Sequence, residues 1–147
     1  MRKVIVTGGS RGIGAAIVRK FAKNGDAVAF LYKNSDEKAK KLADETGATA
    51  IKCDVSVPDD VKRAVGEATA ALSGVDVLVN CAGVALIKLF TDVTDDEWRK
   101  IIDTDLSGTF YAWVFQFVGE MNIVAPGHVK DAYAEYLQEA IDDVLGT

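Results

Sequence analysis

Thr7-Gly8-Gly9-Ser10-Arg11-Gly12-Ile13-Gly14 is the stretch on which the fold turns. An apolar run, Lys3-Val-Ile-Val-Thr7, precedes it and reads as a strand, and Ile13, Ile17 and Phe21 follow at helical spacing. Glycines in a strand-to-helix turn have specific physical uses. Gly8 can make the tight turn out of the strand, Gly12 lets the backbone approach a ligand, and Gly14 lets helix and strand pack closely. The helix start then offers unpaired N–H groups and a partial positive charge to a phosphate. Alone, such a stretch can be only a tight turn. Between a strand and a helix at the head of a βαβ unit, it reads as the cradle of a dinucleotide pyrophosphate.

The rest of the chain repeats that alternation. Ala27-Val-Ala-Phe-Leu31 reads as a second strand, followed by a Lys-rich helix over about Asp36 to Thr46, and Ala50-Ile-Lys-Cys53 as a third. Ser56 is placed to cap the next helix, Pro58 suits its first turn, and Val61, Ala64, Val65, Ala68 and Leu72 form its apolar stripe. Val75 to Cys81 is a fourth strand, apolar enough to be expected buried on both faces. Thr94-Asp-Asp-Glu97 is a capping-box pattern opening a long helix, and Met121 to Ala125 reads as a fifth strand. Val129, Ala132, Tyr133, Tyr136, Leu137, Ala140, Ile141, Val144 and Leu145 mark one face of a terminal helix. The fold class is therefore α/β: a three-layer, Rossmann-like, doubly wound parallel sheet of about five strands in the order 3-2-1-4-5. The loops after the first and fourth strands should meet at the carboxyl edge, where such sheets hold ligands.

Composition narrows the partners. The 147 residues are enough for one domain, and the net charge of −5 argues against nucleic acid or an anionic membrane surface. There is no apolar run long enough for a bilayer and no signal-peptide pattern at the N-terminus. Cys53 and Cys81 are far apart without metal-ligand spacing, which suggests a reducing, cytoplasmic setting. The single histidine, His128, is too few for a histidine metal site, so no metal is expected.

The glycine loop resembles the cofactor loop of the short-chain dehydrogenase/reductase family, closest to its 3-oxoacyl-acyl carrier protein reductase-like members. Three further segments match in order: Cys53-Asp54-Val55, Asn80-Cys-Ala-Gly83 with Cys81 in place of an Asn, and Ile102-Asp-Thr-Asp-Leu-Ser-Gly108. The match covers about residues 1–112. It implies cofactor contacts from Gly8, Ser10, Arg11, Gly12, Ile13 and Gly14, from Val55, and from Asn80, Ala82 and Gly83. It also implies that the Asp54 carboxylate accepts from the adenine amino group.

The second strand ends Leu31-Tyr-Lys-Asn-Ser35 with no acid until Asp36, whereas a carboxylate at its end would favour an unphosphorylated ribose. Arg11 and Lys33 could face a 2′-phosphate, with Asn34 or Ser35 donating to it, or be solvated surface cations. The expected cofactor is NADP(H).

The resemblance also implies a catalytic Tyr-x-x-x-Lys pair, a serine, and an Asn in the long helix. The chain contains no Tyr-x-x-x-Lys, and the Asn position is Asp105. Asp105 falls in the apolar stripe of Trp98, Ile101, Ile102, Thr109 and Phe110, where a carboxylate satisfied by backbone N–H groups, or near the loop after the fourth strand, is at least as apt as a catalytic one. Asp105, Tyr111 and Tyr133 are the weak catalytic candidates, while the helical spacing of Tyr133 and Tyr136 suits core positions. Residues 113–147 depart from the family pattern. Their regular apolar spacing suggests a closing strand and helix of recombined or engineered origin, with the whole chain one domain. Three readings follow: an NADP(H)-binding domain with carbonyl reduction lost; an active oxidoreductase with an unorthodox donor such as Tyr111, Tyr133 or His128; or a scaffold without tight cofactor binding. The helix over 97–118, with Leu106, Phe110, Trp113, Val114, Phe117 and Val118, is expected to pair two copies as a homodimer.

Overall fold

Residues alternate between the two faces of a strand, and here both faces are apolar. The first strand, β1 (Lys3–Thr7), sends Val4 and Val6 to one side and Ile5 to the other, all three fully buried. A strand of that kind needs a layer on each side, and the computed structural model, which describes residues 1–116, supplies both.

β1 is followed by α1 (Gly12–Lys23), β2 (Ala27–Tyr32), α2 (Asp36–Thr46), β3 (Thr49–Lys52), α3 (Pro58–Leu72) and β4 (Val77–Val79). The strands are parallel in the order β3-β2-β1-β4, as expected for the first four. On one face, Val4, Val6, Val28 and Phe30 pack with Ala15 and Val18 of α1 and Ala39 and Leu42 of α2. On the other, Ile5, Ala29, Leu31 and Ile51 pack with Val61, Ala64, Val65 and Ala68 of α3. The apolar stripe read from α3 is thus its buried face, with Leu72 partly buried at its end.

After β4 the chain makes a 3-10 turn at Phe90–Asp92, then α4 (Asp95–Ile101), a π-helical stretch at Ile102–Ser107, and α5 (Gly108–Phe115). α5 packs on α3, and a Cβ at Gly108 would come within 2.9 Å of the Val55 carbonyl oxygen. Among the described residues no helix is long and apolar enough to cross a membrane.

Several expectations need correction. β4 is shorter than Val75–Cys81, and its three residues are half-buried rather than enclosed, because among the described strands it lies at the sheet edge with β1 on one side. Ser56 does not cap α3. Its N–H and hydroxyl both donate to Asp54 Oδ1, at 3.1 and 2.6 Å, and Val57 takes the cap position with Pro58 after it. The long helix is not one regular period. A π-helical stretch holds more residues per turn than an α-helix, so apolar spacing counted across it loses its register. Asp105 is accordingly exposed rather than part of a buried stripe, as are Trp98 and Phe110. The fifth strand at Met121–Ala125, the terminal helix, Phe117, Val118, His128, Tyr133 and Tyr136 lie outside the described residues.

Candidate functional site

The chain leaves β3 and crosses back to place β4 beside β1, so the strand order reverses between β1 and β4. Loops at the carboxyl ends of two such strands diverge and leave a crevice. Here it is a cleft of about 690 Å³, lined by the glycine loop, the ends of β2 and β3, and the loop after β4.

Thr7 ties its two walls together. The residue is 2% exposed, and its hydroxyl accepts the N–H groups of Cys81 and Ala82, each at 3.0 Å. Gly8 lies under the same loop, where a Cβ would come within 2.7 Å of Ala82 Cα. Gly12 is the opposite case. Its φ of +55° favours glycine, and a Cβ there would meet nothing within 4 Å among the described residues. The space over Gly12 is open to a ligand. α1 begins there with Arg11 in extended backbone at its cap position, no side chain capping it, and no acid in its first turn. Its first N–H groups are therefore left for whatever fills the cleft.

Of the residues expected from the sequence, Gly8, Ser10, Arg11, Gly12, Ile13, Gly14, Lys33, Asn34, Ser35, Asp54, Val55, Ala82 and Gly83 all line this one cleft. Asn80 does not; it is exposed beyond the end of β4. Lys38, Lys100, Thr104, Tyr32 and Val84 line it and were not singled out by sequence. Lys38 did leave a signal, since a cation in the first turn of a helix opposes the helix dipole and calls for another reason to be there. Thr7 stands in the sequence as the end of the first strand and the head of the glycine loop, with nothing to mark it as the residue that joins the walls.

Among the described residues four cations line the cleft, Arg11, Lys33, Lys38 and Lys100, against one carboxylate, Asp54. In a chain of net charge −5 that is a local reversal of sign. Partial burial pushes the Asp54 carboxyl up, but the Lys33 ammonium at 2.5 Å and the two Ser56 donors outweigh it and hold it below the usual carboxylate range. Asp36, the first acid after β2, is engaged elsewhere: Lys52 Nζ donates to its Oδ1 and Oδ2 at 2.9 and 3.0 Å, and the Tyr32 hydroxyl donates to its Oδ1 at 3.2 Å. Burial and the neighbouring Asp36 raise the Tyr32 hydroxyl, which keeps it protonated. Burial pushes the Cys53 thiol up to about 12, so it is inert at neutral pH, whereas Cys81 is half-buried on the cleft wall.

The catalytic candidates are not gathered here. Asp105 Oδ1 accepts the Val84 N–H at 2.9 Å, pinning the loop after β4 to the helix, and its carboxylate sits against Gly83. Tyr111 stacks on Phe115 with ring centroids 6.2 Å apart and does not line the cleft. Tyr133 lies outside the described residues.

Comparison with known proteins gives a consistent picture. The family model for short chain dehydrogenases matches residues 2–129, running past the residue-112 limit read from motifs. Acetoacetyl-CoA reductase of Shinella zoogloeoides is 41% identical over 109 residues, covering 74% of this chain and 45% of the reductase. A 3-oxoacyl-acyl-carrier-protein reductase of Staphylococcus epidermidis is 38% identical over 114 residues, 74% of this chain and 47% of that one. The crystal structure of a short chain dehydrogenase from Burkholderia cenocepacia J2315 in complex with NADP superposes with a TM-score of 0.74. It shares 33% identity and covers 78% of this chain and 49% of that one. The chain spans about half the length of the curated relatives it matches.

Proposed function

The chain belongs to the short-chain dehydrogenase family, and on that premise we propose that its 147 residues bind NADP(H) and do not by themselves reduce a carbonyl. The observation that carries the reading is the cleft's charge: among the described residues, four cations and one acid around an uncapped helix start, in an otherwise acidic chain. The pyrophosphate would lie over Gly12, Ile13 and Gly14, against the N–H groups opening α1. Arg11, Lys33 and Lys38, with Asn34 and Ser35, would surround the 2′-phosphate. Asp36, the first acid after β2 and so the one that could instead take a free ribose, is already held by Lys52 and Tyr32. Asp54 and Val55 would flank the adenine, and Ala82 and Gly83 the far ribose. The relative crystallised with NADP supports the same choice of cofactor.

NADPH bound there would supply a hydride. The reading of lost carbonyl reduction takes its support from the proton donor: in these 147 residues no tyrosine is followed four residues later by lysine. Tyr32 is bonded to Asp36, and Tyr111 lies away from the cleft. A tyrosine of unperturbed pKa near 10 is a poor proton relay at neutral pH. A second reading, reduction of a 3-oxoacyl thioester by this chain itself, takes its support from the names of the two reductases it resembles. Leu106, Phe110 and Trp113, all at least half exposed along one helical rod, supply an apolar surface through which two copies would pair.

The test is a fluorescence titration with NADPH and NADH, followed by an NADPH-oxidation assay with acetoacetyl-CoA. We expect NADPH to bind at least tenfold tighter than NADH, with no turnover above background. Equal or tighter NADH binding would remove the cofactor assignment. Turnover abolished by a single tyrosine substitution would establish the second reading instead.

A further inference from the structure

Two residues that the proposed function assigns to opposite ends of an adenosine are bonded to each other. Lys33, just after β2, and Asp54, just after β3, meet across the cleft with Lys33 Nζ 2.5 Å from Asp54 Oδ2. The pairing follows from the sheet: Tyr32 and Lys52 are register partners at the ends of β2 and β3, so the residues leaving them emerge side by side.

The two halves of this pair are not equally free to move. Asp54 is anchored. Its Oδ1 accepts both the N–H and the hydroxyl of Ser56, and its own N–H donates to Asp60 Oδ2 at 2.7 Å. Asp60 is in turn bonded to Arg63, which also donates to the Lys52 carbonyl oxygen. Lys33 has a flexible four-carbon stem, and half of its side chain is exposed. When the pair opens, Lys33 leaves and Asp54 stays.

We propose that the Lys33–Asp54 ion pair is a latch across the adenosine end of the cleft, and that Lys33 selects for NADP(H) by exchanging the Asp54 carboxylate for the 2′-phosphate. This rests on the cofactor reading above and specifies how its discrimination arises. Freeing Asp54 Oδ2 for the adenine amino group strands the Lys33 ammonium, unless the ligand brings its own anion. NADP(H) brings one and NAD(H) does not. Lys33 thus acts on the two cofactors with opposite sign, favouring one and obstructing the other. Lys38, the other lysine at this end of the cleft, has no ion pair among the described residues and should act on the phosphate alone.

That difference in sign is what the experiment reads. NADPH and NADH are titrated against the wild-type chain and the variants Lys33→Met, Lys33→Arg, Lys38→Met, Asp54→Asn and Lys33→Met/Asp54→Asn, with each variant's thermal midpoint checked for folding. Expected for Lys33→Met is NADPH binding about tenfold weaker and NADH binding about two- to fivefold tighter. The NADH gain should vanish when Lys33→Met is made in the Asp54→Asn background, and Lys33→Arg should restore wild-type selectivity. Lys38→Met should weaken NADPH without tightening NADH. A Lys33→Met variant in which NADH is unchanged or weaker, while the wild type still prefers NADPH, overturns the latch and leaves the cofactor reading standing. A wild-type chain that binds neither cofactor, or does not prefer NADPH, overturns both.

Discussion

Two helices in this chain are finished in opposite ways at their N-termini. α4 is closed by its own residues: the Thr94 hydroxyl accepts the Glu97 N–H, Glu97 Oε2 accepts the Thr94 N–H at 3.0 Å, and Asp95, Asp96 and Glu97 supply negative charge to its first turn. α1 has no capping side chain, no acid in its first turn, and an arginine where a cap would stand. The first arrangement neutralises the positive end of the helix and spends it on local stability. The second leaves N–H groups and partial charge facing a basic cleft. A helix start that no described side chain caps, set beside Gly12 with open space above it, is where a ligand phosphate can take the place of a cap.

The comparison can be broken most directly by making α1 resemble α4. Arg11 already has extended backbone, as a capping residue requires. Arg11→Asp should therefore cap the helix and raise stability by about 0.5–1 kcal/mol in a denaturant or thermal melt. It should at the same time weaken NADPH binding by about 3 kcal/mol, roughly a hundredfold, through loss of a charge-assisted hydrogen bond and introduction of a like charge. Unchanged affinity would mean that the α1 start is not the phosphate site. The reverse operation is Thr94→Ala, which should cost about 1 kcal/mol of stability. Its NADPH affinity should match the wild type, because Thr94 does not line the cleft.

The smallest effect expected is one of pH. Lys88 donates to both Glu97 carboxylate oxygens, at 2.9 and 2.8 Å, and with the Thr94 N–H and hydroxyl it holds the Glu97 carboxyl at about 2, against an ordinary 4.5. A depressed carboxyl pKa stabilises the fold fully above the ordinary value and loses that contribution as pH falls through the depressed one. The thermal midpoint of Glu97→Gln should sit below the wild type at neutral pH, and the gap should close between pH of about 4.5 and about 2. A gap that persists at pH 2 would show that Glu97 acts by its shape and hydrogen bonds rather than its charge.

Legibility in the sequence tracks how local the determining contacts are. The strand cores could be read because period 2 in Val4-Ile5-Val6 and period 3.6 in α3 are set by neighbouring residues. Most of the cleft lining could be read for a related reason: the residues at strand ends fall on one edge of any parallel sheet. Ser56 could not be read correctly, because its choice between capping α3 and bonding Asp54 depends on how the β3–α3 turn closes. The place of Asp105 in an apolar stripe could not be read either, because a helical period counted from one end assumes no π stretch in between, although its satisfaction by a backbone N–H was legible and is met by Val84. Lys38 left only the faint signal of a cation in the first turn of α2, and the packing of α2 against α1 and β3 brings it to the cleft.

The sequence by itself determined a parallel α/β sheet with a glycine-lined turn after its first strand, and with it the place where a dinucleotide would sit. These follow from side-chain period and from backbone freedom at a few positions, and neither needs distant partners. The tertiary structure decided which charges meet. Lys33 pairs with Asp54, Lys52 takes Asp36, and Asp105 holds the Val84 N–H, each because strand register or helix geometry brings together groups far apart in the chain. An ion pair acts over a few ångströms, so its members are fixed only once the backbone has placed them.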